Sequence, residues 1–191
     1  MKEMQEKIRK EGIVLSSEVL KVGSFLNQQI DTEFLDRVGE EIARLYSGAG
    51  VTKILTIEAS GIAIATAAAM HMHVPVVFAK KSRASTQTGS SYSASVTSFT
   101  HGNTYEATVS REWLSKDDSI LIIDDFLAHG AALRGLLTIV HASGARLVGC
   151  AIAIEKGFQG GGDRLRSEGI RIDSLAIVDS MSVEGGVTFR D

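Results

Sequence analysis

Apolar positions in this chain recur with two different periods, and the segments that carry them alternate. Over residues 31 to 47 the apolar side chains fall at Phe34, Leu35, Val38, Ile42 and Leu45, a helical spacing that starts behind the N-cap candidate Asp31 and stops near Gly48 and Gly50. The short β-branched run Ile54-Leu55-Thr56-Ile57 follows as a strand. Gly61 then opens an alanine-rich helix to about Met72, and Pro75 introduces a second strand at 76 to 79. Further on, Ile120-Leu121-Ile122-Ile123 reads as a third strand, about Gly130 to Ser143 as a helix, Leu147 to Ile154 as a fourth strand and Ile170 to Val178 as a fifth.

Strands alternating with helices imply an α/β fold, a doubly wound and mainly parallel sheet flanked by helices. In such a sheet ligands bind beyond the carboxyl ends of the strands, so the loops after residues 57, 79, 123 and 154 are expected to share one mouth. Residues 81 to 110 break the pattern. They are rich in Ser and Thr, and Ser93 to Phe99 and Tyr105 to Val109 flank His101-Gly102-Asn103 as a β-hairpin, read as a mobile flap at the sheet edge.

Composition narrows the possibilities. A chain of 191 residues with 44% hydrophobic and 23% charged residues fits one globular domain with a substantial core. Its net charge of -3 provides no global basic field for a polyanion, so phosphate binding must come from a local site and a general nucleic-acid binder is disfavoured. The single cysteine, Cys150, sits in an apolar run and reads as a small core residue. The charged start Met1 to Lys10 lacks the apolar centre of a signal peptide, and no apolar run is long enough to span a bilayer, so a cytoplasmic protein is expected.

The most informative segment is Ile122-Ile123-Asp124-Asp125-Phe126-Leu127-Ala128-His129-Gly130-Ala131-Ala132. Free N–H groups at a helix N-terminus bind phosphate, and the small residues Ala128, Gly130, Ala131 and Ala132 let the main chain approach it. Two carboxylates at the strand end accept hydrogen bonds from vicinal sugar hydroxyls and stabilise positive charge nearby. Together they suit a ribose 5-phosphate. The competing reading is that Asp124 and Asp125 cap a helix or hold magnesium in an unrelated phosphotransfer enzyme. Glu58-Ala59-Ser60-Gly61, between a strand and a helix, could curl around a second anion or simply connect the two elements. Lys156, before Gly157-Phe158, brings an ammonium and an aromatic face to the same mouth; a surface lysine and a core phenylalanine are the alternative. His71, His73, His101, His129 and His141 show no spacing matched to acidic or cysteine partners, so no protein metal site is nominated. Trp113, Asp117 and Asp118 are read as shaping a turn before the third strand.

The apolar strand, two acids, two apolar residues and small-residue loop resemble the defining motif of the type I phosphoribosyltransferases. The whole chain is similar to the bacterial xanthine phosphoribosyltransferases of the Bacillus type. Collinear runs carry that likeness from Glu11-Gly12-Ile13-Val14-Leu15-Ser16, Val19-Leu20-Lys21-Val22 and Ser24-Phe25-Leu26-Asn27 through Gln29-Ile30-Asp31, Thr56-Ile57-Glu58, Ser60-Gly61-Ile62-Ala63 and Val74 to Ala79, to Ile122 to Ala128 and Ile154-Glu155-Lys156.

The resemblance implies a single phosphoribosyltransferase domain over residues 1–191, with a flap at about 81–110 and a hood from about 13–30 and 157–191. It implies transfer of ribose 5-phosphate from phosphoribosyl diphosphate to xanthine, giving xanthosine 5'-monophosphate and diphosphate, as in purine salvage. Asp124 and Asp125 would be catalytic, facing the ribose. Ala128, His129, Gly130, Ala131 and Ala132 would bind the 5-phosphate, and Glu58, Ala59, Ser60, Gly61, Lys80 and Lys81 the diphosphate, with the lysines able to serve a partner's site in a homodimer. Leu20, Asn27 and Lys156 would form the base pocket, Asn27 addressing the second carbonyl that distinguishes xanthine from hypoxanthine; from its place beside Lys156, Phe158 is expected to stack on the base. Magnesium would be bound mainly through phosphoribosyl diphosphate. Two departures stand out: His129 where many of these enzymes place Thr or Asn, and Ala132 where a hydroxyl is common. Main-chain donors survive both. A hypoxanthine or guanine phosphoribosyltransferase would keep the ribose phosphate site and differ in the base pocket, whereas a phosphoribosyl diphosphate-sensing regulator would need a basic helix-turn-helix extension that this chain lacks.

Overall fold

The computed structural model describes residues 1–81, 90–97 and 104–190. The chain opens with α1 (Lys2–Glu11), then two short paired strands, β1 (Ile13–Val14) and β2 (Leu20–Lys21), and a single π-helical turn over Gly23–Asn27. Helix α2 (Thr32–Leu45) begins where expected, with the Asp31 side chain accepting from the N–H of Phe34 at 3.1 Å. The alternating part follows as β3 (Lys53–Ile57), α3 (Ser60–Met72) and β4 (Val76–Ala79). An antiparallel hairpin of β5 (Ser91–Thr97) and β6 (Thr104–Ser110) comes next. The order is completed by β7 (Ser119–Leu127), α4 (Ala131–Ser143), β8 (Arg146–Lys156), α5 (Gly161–Ser167), β9 (Ile172–Ser182) and β10 (Gly186–Phe189).

Six strands form the central sheet in the order β10-β9-β8-β7-β3-β4, parallel except for β10. The chain winds outward from β3 to β4 on one side and through β7, β8 and β9 on the other, so the switch point lies between β3 and β7. Alternation along β7 explains why both faces are covered. Leu121 and Ile123 pack with α2, α3 and the N-terminal elements, while Ile120 and Ile122 pack with α4 and the hairpin.

Several expectations need adjustment. Strand β7 runs through the acid pair to Leu127, so Asp124 and Asp125 belong to the strand and not to the loop after it. Strand β8 similarly continues to Lys156. Pairing between the two, which extends to Leu127 and Glu155, supplies the backbone partners that a reading of apolar runs misses. The hairpin is docked along one face: Ala94, Val96, Ala107 and Val109 are buried in the α4 cluster, and Lys80 bridges Thr108. Burying a valine is worth roughly 1.5–3 kcal/mol, enough to hold the described part of this region against the body. The proposed turn at His101-Gly102-Asn103 and residues 82–89 lie outside the described residues. Asp118 shapes the expected turn, accepting from the N–H of Ser115 at 2.8 Å and pairing with Lys53. Cys150 is buried, and burial pushes its thiol up to about 12, in keeping with a core role.

Candidate functional site

Beyond the carboxyl ends of β3, β7 and β8 lies a cleft of about 630 Å³. At its centre, β7 places Asp124 and Asp125 one after the other. Asp124 is 6% exposed, and its Oδ1 accepts from the N–H of Asp125 at 2.9 Å. Burial first, then the Asp125 charge, hold the Asp124 carboxyl well above the usual carboxylate range, an effect that the more distant Lys81 partly opposes. Asp125 reaches the cleft, accepting from the N–H of Phe126 at 2.9 Å and from the side-chain amide of Asn27 at 3.4 Å.

The loop from Ala128 to Gly130 drops from the strand into α4. Gly130 has φ +88°, a left-handed conformation that favours glycine, and it precedes the helix without a side-chain cap. The first helical bond of α4 is from the N–H of Arg134 to the carbonyl of Gly130 at 2.9 Å, so the N–H groups of Ala131, Ala132 and Leu133 precede the ladder and face the mouth of the cleft. Open main-chain donors in this arrangement can hold an anion.

A second turn leaves β3. Its Glu58–Ala59 peptide is cis, and the Glu58 carboxylate accepts from the N–H of Lys81 at 2.6 Å, tying the ends of β3 and β4 together. A Cβ on Gly61 would stand 2.2 Å from Thr56 Oγ1 and 3.2 Å from Asp124 Oδ1, so only glycine lets α3 start against the acid pair. The buried Thr56 hydroxyl has no hydrogen-bond partner among the described residues.

Across the cleft stand Lys156 and the N-terminal segment. Lys156 Nζ donates to the main-chain carbonyl of Glu18 at 2.6 Å and lies 5.6 Å from the centroid of the Phe126 ring. Burial lowers its pKa, against a raising contribution from Glu18. Leu20 is buried beside this contact, and Asn27 is exposed at the end of the π-helical turn. From the hairpin, Tyr105 lines the cleft with the Lys81 ammonium 5.4 Å from its ring; burial, then the Asp124 charge, raise its pKa.

Most of the expected site residues therefore converge. Leu20, Asn27, Ser60, Lys81, Asp125, Lys156 and every residue from Ala128 to Ala132 line the one cleft, with Asp124 beneath. Glu58, Ala59 and Gly61 build the turn behind Ser60 without lining it. Two others lie outside the cleft. Phe158 is 39% exposed and does not line the cleft; the ring beside Lys156 is Phe126, which β7 delivers directly because the strand continues past the acids. Lys80 lines a separate cavity of about 740 Å³, with Phe78 and Trp113. Tyr105 and Gln159 also line the cleft. Nothing local marked either, although Phe126 was in plain view within the motif.

The sheet order, with its switch point under an acid pair and an open helix terminus, defines the type I phosphoribosyltransferase fold. The chain belongs to the phosphoribosyltransferase family, whose phosphoribosyl transferase domain matches residues 27–172. It is 51% identical over 191 residues to the xanthine phosphoribosyltransferase of Lachnoclostridium phytofermentans, covering all of this chain and 98% of that one. It is 52% identical over 192 residues to the xanthine phosphoribosyltransferase of Bifidobacterium longum, covering both chains in full. Among solved structures, adenine phosphoribosyltransferase from Trypanosoma brucei, in complex with AMP, pyrophosphate and ribose-5-phosphate, superposes with a TM-score of 0.75 at 20% identity over 91% of this chain and 79% of that one. The enzyme of the same name from Rhodothermus marinus gives 0.73 at 19% identity over 93% and 100%.

Proposed function

We propose that this chain is an enzyme of purine salvage that transfers ribose 5-phosphate from phosphoribosyl diphosphate to xanthine, giving xanthosine 5'-monophosphate and diphosphate. The observation that carries the mechanism is the meeting, in one cleft, of an uncapped helix N-terminus, a strand-end acid pair and a half-buried lysine. Relatives named for this activity, half identical over the whole chain, carry the choice of base.

In the reaction a ring nitrogen of the base forms a bond to the anomeric carbon as the bond from that carbon to diphosphate oxygen breaks; the nitrogen's proton passes to solvent and diphosphate leaves with the electron pair. Positive charge grows on the ribose, so electrostatic stabilisation does most of the catalytic work. Asp125 faces that charge, and Asp124 becomes a stronger acceptor for the ribose hydroxyls as bound positive charge favours its ionised form. The N–H groups at the start of α4 hold the 5-phosphate, while the turn at Ser60 and the Lys81 ammonium receive the diphosphate. Lys156 donates to a purine carbonyl, and Asn27, which can both donate and accept, addresses the second one.

Magnesium suits this site. The acid pair offers hard oxygen donors beside the sugar, and this ion commonly takes one or two carboxylates plus substrate phosphates. When bound it would neutralise the leaving diphosphate. Residues 1–191 act as one catalytic domain, with 13–30 and 157–191 as the hood over the base and about 81–110 as the flap. Lys80 lies outside the cleft of its own chain, a placement that fits service to a partner's site in a homodimer. Among the described residues no helix is long and apolar enough to cross a membrane, and we assign the enzyme to the cytoplasm.

The test is nucleotide formation from phosphoribosyl diphosphate and magnesium with xanthine, guanine, hypoxanthine or adenine offered separately. Xanthosine 5'-monophosphate is the expected dominant product. Preference for another base would refute the assignment of Asn27, and absence of product with all four would refute the reaction.

A further inference from the structure

We propose that Gly161 and Arg164 are positioning residues that hold the 5-phosphate loop in register with the base pocket. The inference rests on the reading of Ala128 to Ala132 as the phosphate site. Lys156 ends β8, a 3-10 turn spans Gly157–Gln159, and α5 follows at once, so the chain that delivers the base-side lysine turns back onto the phosphate loop within a few residues. The contact there is main chain on main chain. A Cβ on Gly161 would stand 2.1 Å from the carbonyl oxygen of Ala128, 2.6 Å from the carbonyl carbon of His129 and 2.9 Å from the nitrogen of Gly130. None of those atoms is the end of a flexible side chain, so any larger residue displaces the loop itself.

Two further contacts set the register. The guanidinium of Arg164 donates to the carbonyls of His129 at 3.3 Å and Gln159 at 3.5 Å, joining the loop to the 3-10 turn. Leu165 is fully buried and packs 3.2 Å from where a Gly130 side chain would start. Helix α5 is itself anchored to β8. Arg166 makes bonds of 2.9 and 2.6 Å to the buried Glu155 carboxylate, the residue immediately before Lys156. The loop donors and the Lys156 ammonium thus share one short support. Because Lys156 stays fixed on β8, a side chain at Gly161 displaces the loop donors relative to it, and the loss falls on phosphoribosyl diphosphate, with misplacements near 1 Å costing on the order of 100-fold.

The experiment measures KM for phosphoribosyl diphosphate and for xanthine in the wild type and in Gly161→Ala, Arg164→Met and Ala132→Asp, with a thermal melt of each. Gly161→Ala is expected to raise KM for phosphoribosyl diphosphate about 10- to 100-fold while KM for xanthine stays within about twofold; Arg164→Met, which removes only the two long bonds, gives about threefold in the same direction. If Gly161→Ala does not fold, Arg164→Met carries the test. Both KM values rising together, or neither moving, would overturn the proposal. Ala132→Asp separates the two readings: its carboxylate suits a helix N-terminus but repels phosphate, so the protein stays folded and loses phosphoribosyl diphosphate. Unchanged KM in Ala132→Asp would overturn the phosphate-site reading, and with it this one. Loss in Ala132→Asp without loss in Gly161→Ala would overturn only the positioning role.

Discussion

The two sides of the cleft are built by different means. On the phosphate side, contiguous residues from Asp124 to Leu133 supply two carboxylates and three open N–H groups, held by β7 in the middle of the sheet and by the buried start of α4. On the base side, Lys156 and the segment from Glu18 to Asn27 are separated by more than a hundred residues and meet through the bond from Lys156 Nζ to the Glu18 carbonyl, while Asn27 reaches across to Asp125. Under the proposed function the phosphate side recognises with main chain and so depends on backbone geometry, and the base side recognises with side chains. That assignment makes purine specificity the adjustable half of this enzyme and ribose phosphate binding the fixed half.

Asp125→Asn tests the fixed half most severely. It keeps shape and hydrogen bonding while removing the charge that faces the ribose, and kcat is expected to fall roughly 100-fold or more with little change in melting temperature. An unchanged kcat would place the stabilising charge elsewhere. Lys156→Met tests the adjustable half: KM for xanthine rises about 10- to 100-fold while KM for phosphoribosyl diphosphate is nearly constant, because an unpaired purine carbonyl is left in the pocket. The pH dependence sharpens this. Burial lowers the Lys156 pKa below its ordinary 10.5, so the ammonium is lost earlier as pH rises and base binding weakens with it. That alkaline limb should be absent from Lys156→Met and displaced to higher pH in Lys156→Arg.

The same contrast explains what could be read from the chain alone. Helix α2, with its Asp31 cap, and the strands at Ile54 to Ile57 and Ile120 to Ile123 were legible because local periodicity and burial agree there. The phosphate loop was legible because it is one continuous motif. Strand ends were placed too early, at 123 and 154, because polar residues such as Asp124 and Glu155 interrupt the apolar signal although β7 and β8 remain paired beyond them. Helix α5 starts within Gly160-Gly161-Gly162, where no local periodicity predicts a helix; it forms because Leu165 is buried and Arg166 closes on Glu155, both tertiary facts. Phe158 is near Lys156 only in sequence, whereas the ring that meets the ammonium comes from the neighbouring strand.

A stability measurement on Asp124 probes a smaller effect from the fixed half. Its folded pKa is raised, so the native state holds a proton more tightly than the unfolded chain, and stability falls as pH rises from the ordinary carboxylate value through the folded one. Asp124→Asn removes that dependence. At neutral pH the variant should melt a few degrees higher than the wild type, with the difference vanishing at strongly acidic pH, while its activity drops. Melting curves across pH decide it: a variant that is less stable at neutral pH would mean that Asp124 is ionised and paired in the free enzyme.

The smallest effect belongs to Asn27. Its amide lies on the exposed rim and its bond to Asp125, at 3.4 Å, is long, so Asn27→Ala removes little from the fold and little from catalysis. What it removes is an amide able to match either polarity at the base's second carbonyl. We expect the ratio of kcat/KM for xanthine over hypoxanthine to fall about 5- to 10-fold, with kcat/KM for hypoxanthine itself almost unchanged, since a neutral hydrogen bond contributes roughly 1 kcal/mol. Steady-state rates with the two bases are sufficient. Equal losses on both would instead make Asn27 a support for Asp125, and the base side would then be less separable from the phosphate side than the geometry of the cleft implies.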